Sequence, residues 1–223
     1  MGNHILKIES IDHVTHDVLR IITNKPEGID FTPGQAANIA INKSGWLKEE
    51  RPFTFTNLPT GDALEFTIKT YPEQDGVTNE MLQLKQADEI VLHEVFGAIA
   101  YKGEGVFIAG GAGVTPFISI FRDLKSKNEI GKNMLVFANK TKADIILEDE
   151  FRDLLGDAFV NILSDEQLAG YHHGRVTEEL LKTIVKDFSQ QFYICGPPPM
   201  IKDVEAQLIH LGADPDHITK EIF

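Results

Sequence analysis

The chain has 223 residues, is 42% hydrophobic and 25% charged, and carries a formal net charge of −13. That is enough apolar material for one large or two small cores, and no apolar run approaches the ~20 residues a membrane span needs, so no membrane insertion is expected. The acidic balance argues against nucleic acid as a partner. The single cysteine, Cys195, excludes an intrachain disulfide and a four-thiolate iron–sulfur cluster.

The N-terminal segment Met1–Lys7 lacks the basic region and long apolar stretch of a signal peptide, and a cytoplasmic location is the expectation. Residues 4–101 then show short apolar or alternating runs broken by Gly, Pro, Asn and Asp. Val14–Thr23, Ala36–Asn42, Arg51–Leu58, Ala63–Thr70 and Glu89–Val95 read as strands of an antiparallel sandwich or barrel, with one short helix at Thr78–Leu84. Residues 105–223 alternate instead. Strands at Val106–Ala109, Met134–Ala138, Phe159–Leu163 and Phe192–Cys195 are apolar runs, broken only by Asn161. Helices are expected at Val114–Lys127, Ile146–Leu155, Thr177–Lys186 and Pro198–Leu211, which gives a parallel sheet covered on both faces. The expected fold is thus an antiparallel β-barrel domain, residues 1–101, followed by an α/β domain, residues 102–223, with the boundary near Tyr101–Gly105.

Val106–Ala109 runs into Gly110-Gly111-Ala112-Gly113-Val114-Thr115-Pro116-Phe117. A strand, a glycine turn and a helix start in that order suit a phosphate: backbone N–H groups come close to the anion and the helix dipole favours it. Pro116 fits the first helical turn, where its missing N–H costs nothing. Read without a ligand, the segment is a tight structural turn. It departs from the ordinary dinucleotide fingerprint, because Pro116 stands at the third glycine and the next strand ends Phe137-Ala138-Asn139 without an acidic residue.

Gly-Gly-Ala-Gly-Val-Thr-Pro closely resembles the pyrophosphate loop of the ferredoxin–NADP reductase family, whose nucleotide domain follows a flavin-binding barrel. Three further segments match in order. Arg51-Pro52-Phe53-Thr54 resembles the family's flavin motif. The resemblance implies Arg51 on the flavin phosphates, Phe53 against the isoalloxazine ring and Thr54 near the reactive flavin nitrogen. Lys69-Thr70-Tyr71 with Gly76-Val77-Thr78-Asn79 resembles the second flavin segment, with Thr78 as the cap of a short helix whose N-terminus holds phosphate. Cys195-Gly196-Pro197-Pro198-Pro199-Met200 is the most specific of the three. In the family this turn flanks the nicotinamide and its cysteine lies near the carbon that gives up hydride; taken alone, Cys195 would be a small buried hydrophobe.

The chain ends Glu221-Ile222-Phe223. By the same resemblance Glu221 steadies charge on the nicotinamide and Phe223 covers the flavin; the alternative is an ordinary terminal strand. The resemblance also places the ribose site at Ser164-Asp165-Glu166, where acidic residues repel a 2′-phosphate and favour NADH over NADPH; Lys140 and Lys142 argue the other way. It implies FAD, with FMN the alternative, and no metal. The expected catalytic residues are Thr54, Cys195 and Glu221.

The implied function is a flavoprotein reductase that takes a hydride from NAD(P)H and passes electrons to flavodoxin, ferredoxin, another acceptor protein or free flavin. The alternative is a flavin- or nucleotide-binding sensor or regulatory subunit without turnover. A hydrolase is disfavoured by the absence of a Gly-x-Ser-x-Gly elbow, and His172-His173 reads as a solvated loop rather than a metal site.

Overall fold

The computed structural model describes residues 3–97 and 99–222. The first half forms β1 (His4–Thr15), β2 (Val18–Asn24), β3 (Ala36–Ile41), β4 (Arg51–Thr54), β5 (Ala63–Lys69) and β6 (Glu89–Phe96). They hydrogen-bond in the order β4-β3-β6-β1-β2-β5, and every pairing is antiparallel. An antiparallel bridge between Phe55 and Phe66, with the Thr56 N–H donating to the Glu65 carbonyl, joins the two edges and closes the barrel. Closure removes the exposed edges that an open sheet would present. The alternating residues Leu6, Ile8, Leu64, Phe66 and Ile68 point inward and are almost fully buried, with Phe31 and Phe55 stacked at a 4.1 Å centroid separation.

Two sequence expectations change here. The apolar run Val14–Thr23 is not one strand: β1 ends at Thr15 and β2 starts at Val18, with His16 and Asp17 forming the turn. No Gly or Asn marks that turn, so the run reads as continuous. The short helix α1 (Val77–Glu80) begins one residue before the expected start and passes into a single 3-10 turn at Met81–Gln83.

The second half forms β7 (Gly105–Gly110), α2 (Thr115–Ser126), β8 (Met134–Asn139), α3 (Glu148–Leu155), β9 (Phe159–Leu163), β10 (His172–His173), α4 (Glu178–Ile184), β11 (Gln191–Gly196), α5 (Pro198–His210) and β12 (Ile218–Ile222). The sheet is parallel throughout, ordered β10-β9-β8-β7-β11-β12. Successive residues face opposite ways, so one strand feeds two cores. Phe107, Ala109, Tyr193 and Cys195 pack with α2 and α3, while Val106, Ile108, Phe192 and Ile194 pack with α4 and α5. His172 and His173, expected in a loop, instead pair with Ile162 and Leu163 as an edge strand, both still exposed.

The chain builds outward from β7 through β8 and β9, then returns to add β11 on the other side. The strand order therefore reverses between β7 and β11, and the crevice beyond their carboxyl ends is where open parallel sheets take ligands. Among the described residues no helix is long and apolar enough to cross a membrane.

Candidate functional site

A cleft of about 890 Å³ opens at that crevice. The glycine segment Gly110–Gly113 and the turn Gly196–Pro197 line it from the second half, and Lys69, Thr70 and Tyr71 line it from the barrel. Both halves of the molecule thus face one space of a size suited to a cofactor.

Gly111–Val114 form a 3-10 turn that runs directly into α2, with Pro116 in the first turn and Thr115 and Pro116 buried. Gly113 has no room for a side chain. A Cβ there would lie 2.3 Å from the Cys195 carbonyl oxygen and 2.6 Å from the Gly196 nitrogen. Gly196 has φ +155°, and a Cβ there would lie 3.1 Å from the Gly110 nitrogen. The glycine loop and the strand-ending turn are therefore packed backbone on backbone, and Pro197 to Pro199 carry the chain stiffly from that contact into α5.

Cys195 is fully buried on the α2 face of the sheet and is not among the residues lining the cleft. Burial first, and the nearby Glu221 carboxylate second, push its thiol pKa well up. Such a group stays protonated at neutral pH. Glu221 stands beside Cys195 in the β11–β12 register and accepts a hydrogen bond from the Ile99 N–H at 3.2 Å. Phe223 lies outside the described residues.

On the barrel side, β4 turns its residues to opposite faces. Arg51 is exposed; its guanidinium donates to the Glu50 carbonyl at 2.7 Å and lies 3.6 Å from Glu49. Pro52 is exposed and Phe53 half-buried against the barrel core. Thr54 is only 2% exposed, and the Thr115 hydroxyl donates to its hydroxyl at 3.2 Å. The strand carrying the arginine motif and the helix that follows the glycine loop are thus in direct contact.

Tyr71 is 42% exposed at the cleft. Lys69 is held by Asp17 at 2.6 Å, and Asp144 lies 4.0 Å away. Burial opposes ionisation of Asp17, but the hydrogen bond and charge of Lys69 outweigh it and hold its carboxyl below the usual range. His16, Asp17 and Asp144 have a metal-like spacing, yet the Lys69 ammonium already supplies the positive charge there. Thr78 does not cap α1. Gly76 occupies the cap position in an extended conformation with no side-chain bond, which leaves Thr78 in the second helical position, while Val77 is buried. The chain enters the helix one residue early because Val77 anchors it to the barrel core.

Ser164 lines the cleft, whereas Asp165 is exposed and outside the lining, accepting a hydrogen bond from the Ser164 hydroxyl at 2.6 Å. Glu166 is turned away to accept from the Lys142 N–H at 2.7 Å. Sequence reasoning missed Arg175 and Asp203, which line the same cleft, and the carboxylates Asp17 and Asp144 beside Lys69 at its edge. Arg175 follows a strand too short to read from periodicity; Asp17 was hidden in a turn read as strand.

Residues 3–129 match the FAD-binding domain family and residues 107–206 the oxidoreductase NAD-binding domain family. The chain is 29% identical to NADH-cytochrome b5 reductase 2 of Mycosarcoma maydis, covering 90% of this chain and 63% of that protein. It is 30% identical to the propane 2-monooxygenase reductase component of Mycolicibacterium smegmatis, covering 93% and 63%. It therefore spans a little over three fifths of the length of these curated relatives. In fold it is similar to a ferredoxin NADP+ reductase from Neisseria gonorrhoeae with bound FAD and NADP, with a TM-score of 0.87 at 22% identity over 100% of this chain and 99% of that one. The flavohem-like FAD/NAD-binding domain of nitric oxide dioxygenase from Vibrio cholerae O1 biovar El Tor gives a TM-score of 0.88 at 21% identity, covering 98% of each chain. With a closed antiparallel barrel, a parallel sheet and a family match over more than half its length, the chain belongs to the ferredoxin–NADP reductase-like family and joins an FAD-binding domain to an oxidoreductase NAD-binding domain.

Proposed function

We propose that this chain is a flavoprotein reductase that draws a hydride from a nicotinamide nucleotide and hands electrons to a separate acceptor. The observation that carries the reading is the shared cleft: the glycine loop, the Gly196–Pro197 turn and the barrel segment Lys69–Tyr71 line one space, and Thr54 touches Thr115 beside it. Residues 1–101 are assigned to flavin and 102–223 to nucleotide, supported by the gap between the end of β6 at Phe96 and the start of β7 at Gly105.

The residues present fit both groups. The backbone cradle at Gly111 and Gly113, the dipole of α2 and the cleft-lining cations Lys140 and Arg175 suit a dinucleotide pyrophosphate. Arg51, exposed and held only by a carbonyl and a distant carboxylate, is free to turn its fork to flavin phosphates, with the N–H groups of Val77 and Thr78 at the start of α1 nearby in role. Phe53 and Tyr71 supply aromatic faces for the ring. When bound, FAD supplies the redox chemistry, taking up two electrons and releasing them to the acceptor.

This chain's own residues bind, orient and exclude water. Thr54, buried and held by Thr115, would hold the flavin edge from behind the cleft lining. Gly196 and Pro197 form the wall against the nicotinamide. Cys195 acts from beneath that wall by packing: its raised pKa keeps it a neutral thiol, so it neither takes nor gives a proton at neutral pH. Glu221 holds Ile99 and lends negative charge next to Cys195.

Purified protein is expected to be yellow and to bleach anaerobically on adding NADH. Colour without bleaching would make it a sensor, and failure to take up flavin on reconstitution would sink the proposal. NADH is the preferred donor in this reading because Asp165 flanks the ribose position. A second reading, NADPH, is favoured by Arg175 and Lys140 in the cleft lining while Asp165 lies outside it. Comparing bleaching by the two donors decides between them, and Asp165→Arg should shift the ratio toward NADPH. The relatives are named as reductases of cytochrome b5 and as oxygenase reductase components. The acceptor proposed here is accordingly a small electron-transfer protein of the ferredoxin, flavodoxin or cytochrome kind, or free flavin, in the cytoplasm.

A further inference from the structure

The face of α2 that meets the barrel carries three polar groups at spacings of four and three residues, Thr115, Ser119 and Arg122, which places them in one stripe. Each grips the barrel at a different level. Thr115 donates to Thr54, and the Ser119 hydroxyl accepts from the Gly34 N–H at 2.9 Å. Arg122 makes the largest contact. Its Nη1 donates to the Thr56 carbonyl at 2.8 Å and to Glu65 on β5 at 2.6 Å. Its Nε and Nη2 fork onto the two carboxylate oxygens of Glu150 on α3, at 2.6 and 2.8 Å. Glu65 in turn accepts from the Thr56 hydroxyl at 2.8 Å.

One guanidinium therefore ties together the barrel strand β5, the segment just past β4, helix α2 and helix α3. Burial works against its charge, but the hydrogen bonds and charges of Glu150 and Glu65 prevail and hold its pKa above the usual arginine value. A planar five-donor fork matches two carboxylates and a carbonyl in a way an ammonium cannot. The placement matters more than the strength. Thr56 is two residues beyond Thr54, and Arg122 is seven residues, about 10 Å of helix, beyond Thr115, where the glycine loop ends. The clamp thus fixes the strand bearing the arginine motif against the rigid helix whose N-terminus carries the glycine loop.

We propose that Arg122 is a positioning residue: through Thr56 and α2 it sets the spacing between the flavin strand and the nucleotide loop, and so the alignment in which hydride passes. The inference rests on the reductase reading above. Arg122 touches neither cofactor position itself. Its removal should cost reaction rate rather than cofactor affinity, since a misplacement of about 1 Å between reacting groups can cost up to a hundredfold in rate.

The test is rapid-mixing bleaching of the FAD-loaded protein over a range of NADH concentrations for wild type, R122M and R122K. The expected result is a limiting rate about tenfold lower in R122M, with the NADH half-saturation and FAD dissociation constants within about twofold of wild type, and partial recovery in R122K, whose ammonium still reaches Glu65. Amide hydrogen exchange on the apoprotein should show residues 51–56 and 110–115 exchanging faster in R122M, with α4 and α5 unchanged. A wild-type limiting rate in R122M, a rate loss matched by a loss of affinity, or R122K no better than R122M would each overturn the proposal. If R122M does not fold, E150Q keeps the arginine and Glu65 and should lower the limiting rate by about two- to threefold; no change there would overturn it as well. If wild type itself does not bleach, the reductase reading falls, and the exchange pattern alone then decides whether the clamp holds the two segments together.

Discussion

The two segments proposed to hold phosphate are built by opposite means. The nucleotide-side loop, Gly110–Gly113 against Gly196, is defined by backbone: a Cβ at Gly113 would fall 2.3 Å from the Cys195 carbonyl oxygen. The flavin-side segments are defined by side chains in open space: Arg51 is exposed, and a Cβ on Gly76 would meet nothing within 4 Å. The first is shaped by folding before any ligand arrives. The second carries its charged group on an exposed side chain whose contacts are the Glu50 carbonyl and Glu49. Stability and binding should therefore separate between them, coupled in one half and independent in the other.

The largest effect is expected where the backbone is tightest. Gly113→Val forces β11 and the loop apart and should cost about 3 kcal/mol of stability by urea unfolding, with nucleotide affinity lost alongside. A stable Gly113→Val protein with normal NADH binding would break the comparison. Arg51→Ala should do the reverse. Flavin affinity falls by about 1.5–3 kcal/mol, the worth of a charge-assisted hydrogen bond, while the apoprotein melts as before. Unchanged flavin affinity would remove Arg51 from the phosphate site.

Asp17 gives a smaller effect with a pH signature. Its folded pKa is lowered, so its contribution is fully present above the unfolded value of ~3.9 and is lost as pH falls through the lower folded value. Wild type should lose more stability than Asp17→Asn on acidification below pH ~4, by about 1 kcal/mol or less. Parallel acid unfolding curves would show that the Lys69 pair contributes nothing. The smallest effect belongs to Gly76→Ala. Its backbone is extended, at φ −173°, and the site is open, so stability should stay within about 0.5 kcal/mol and flavin binding should persist.

Much of the fold was legible because its two halves carry different periods. Continuous apolar runs such as Val106–Ala109 and Phe192–Cys195 appear as buried parallel strands, and the barrel runs appear as antiparallel ones. The failures are local and have physical causes. A turn made by His16 and Asp17 carries no glycine or asparagine, so two strands read as one. Thr78 is a good cap by residue type, but Val77 anchors the helix one residue earlier, leaving the cap to Gly76. His172 and His173 have no apolar alternation and pair only because β9 offers an edge. Of the residues lining the cleft, the motifs named the glycine loop, Lys69 and Tyr71, and the proline turn, while Arg51–Thr54 lie outside the lining. The motifs did not name Arg175 at the cleft or the Glu65–Arg122–Glu150 clamp, whose members lie 57 and 28 residues apart and share no local pattern.

The seam between the two halves shows the same division. By itself the sequence determined the fold class, the order of the two domains and the glycine loop and proline turn, because glycine spacing and apolar period are local properties that backbone sterics translate directly. Only the tertiary structure decided that Cys195 lies sealed beneath the cleft, that Thr54 meets Thr115, and that one arginine holds strand to helix. Burial and long-range pairing depend on what arrives from elsewhere in the chain, and no window of neighbouring residues contains that information.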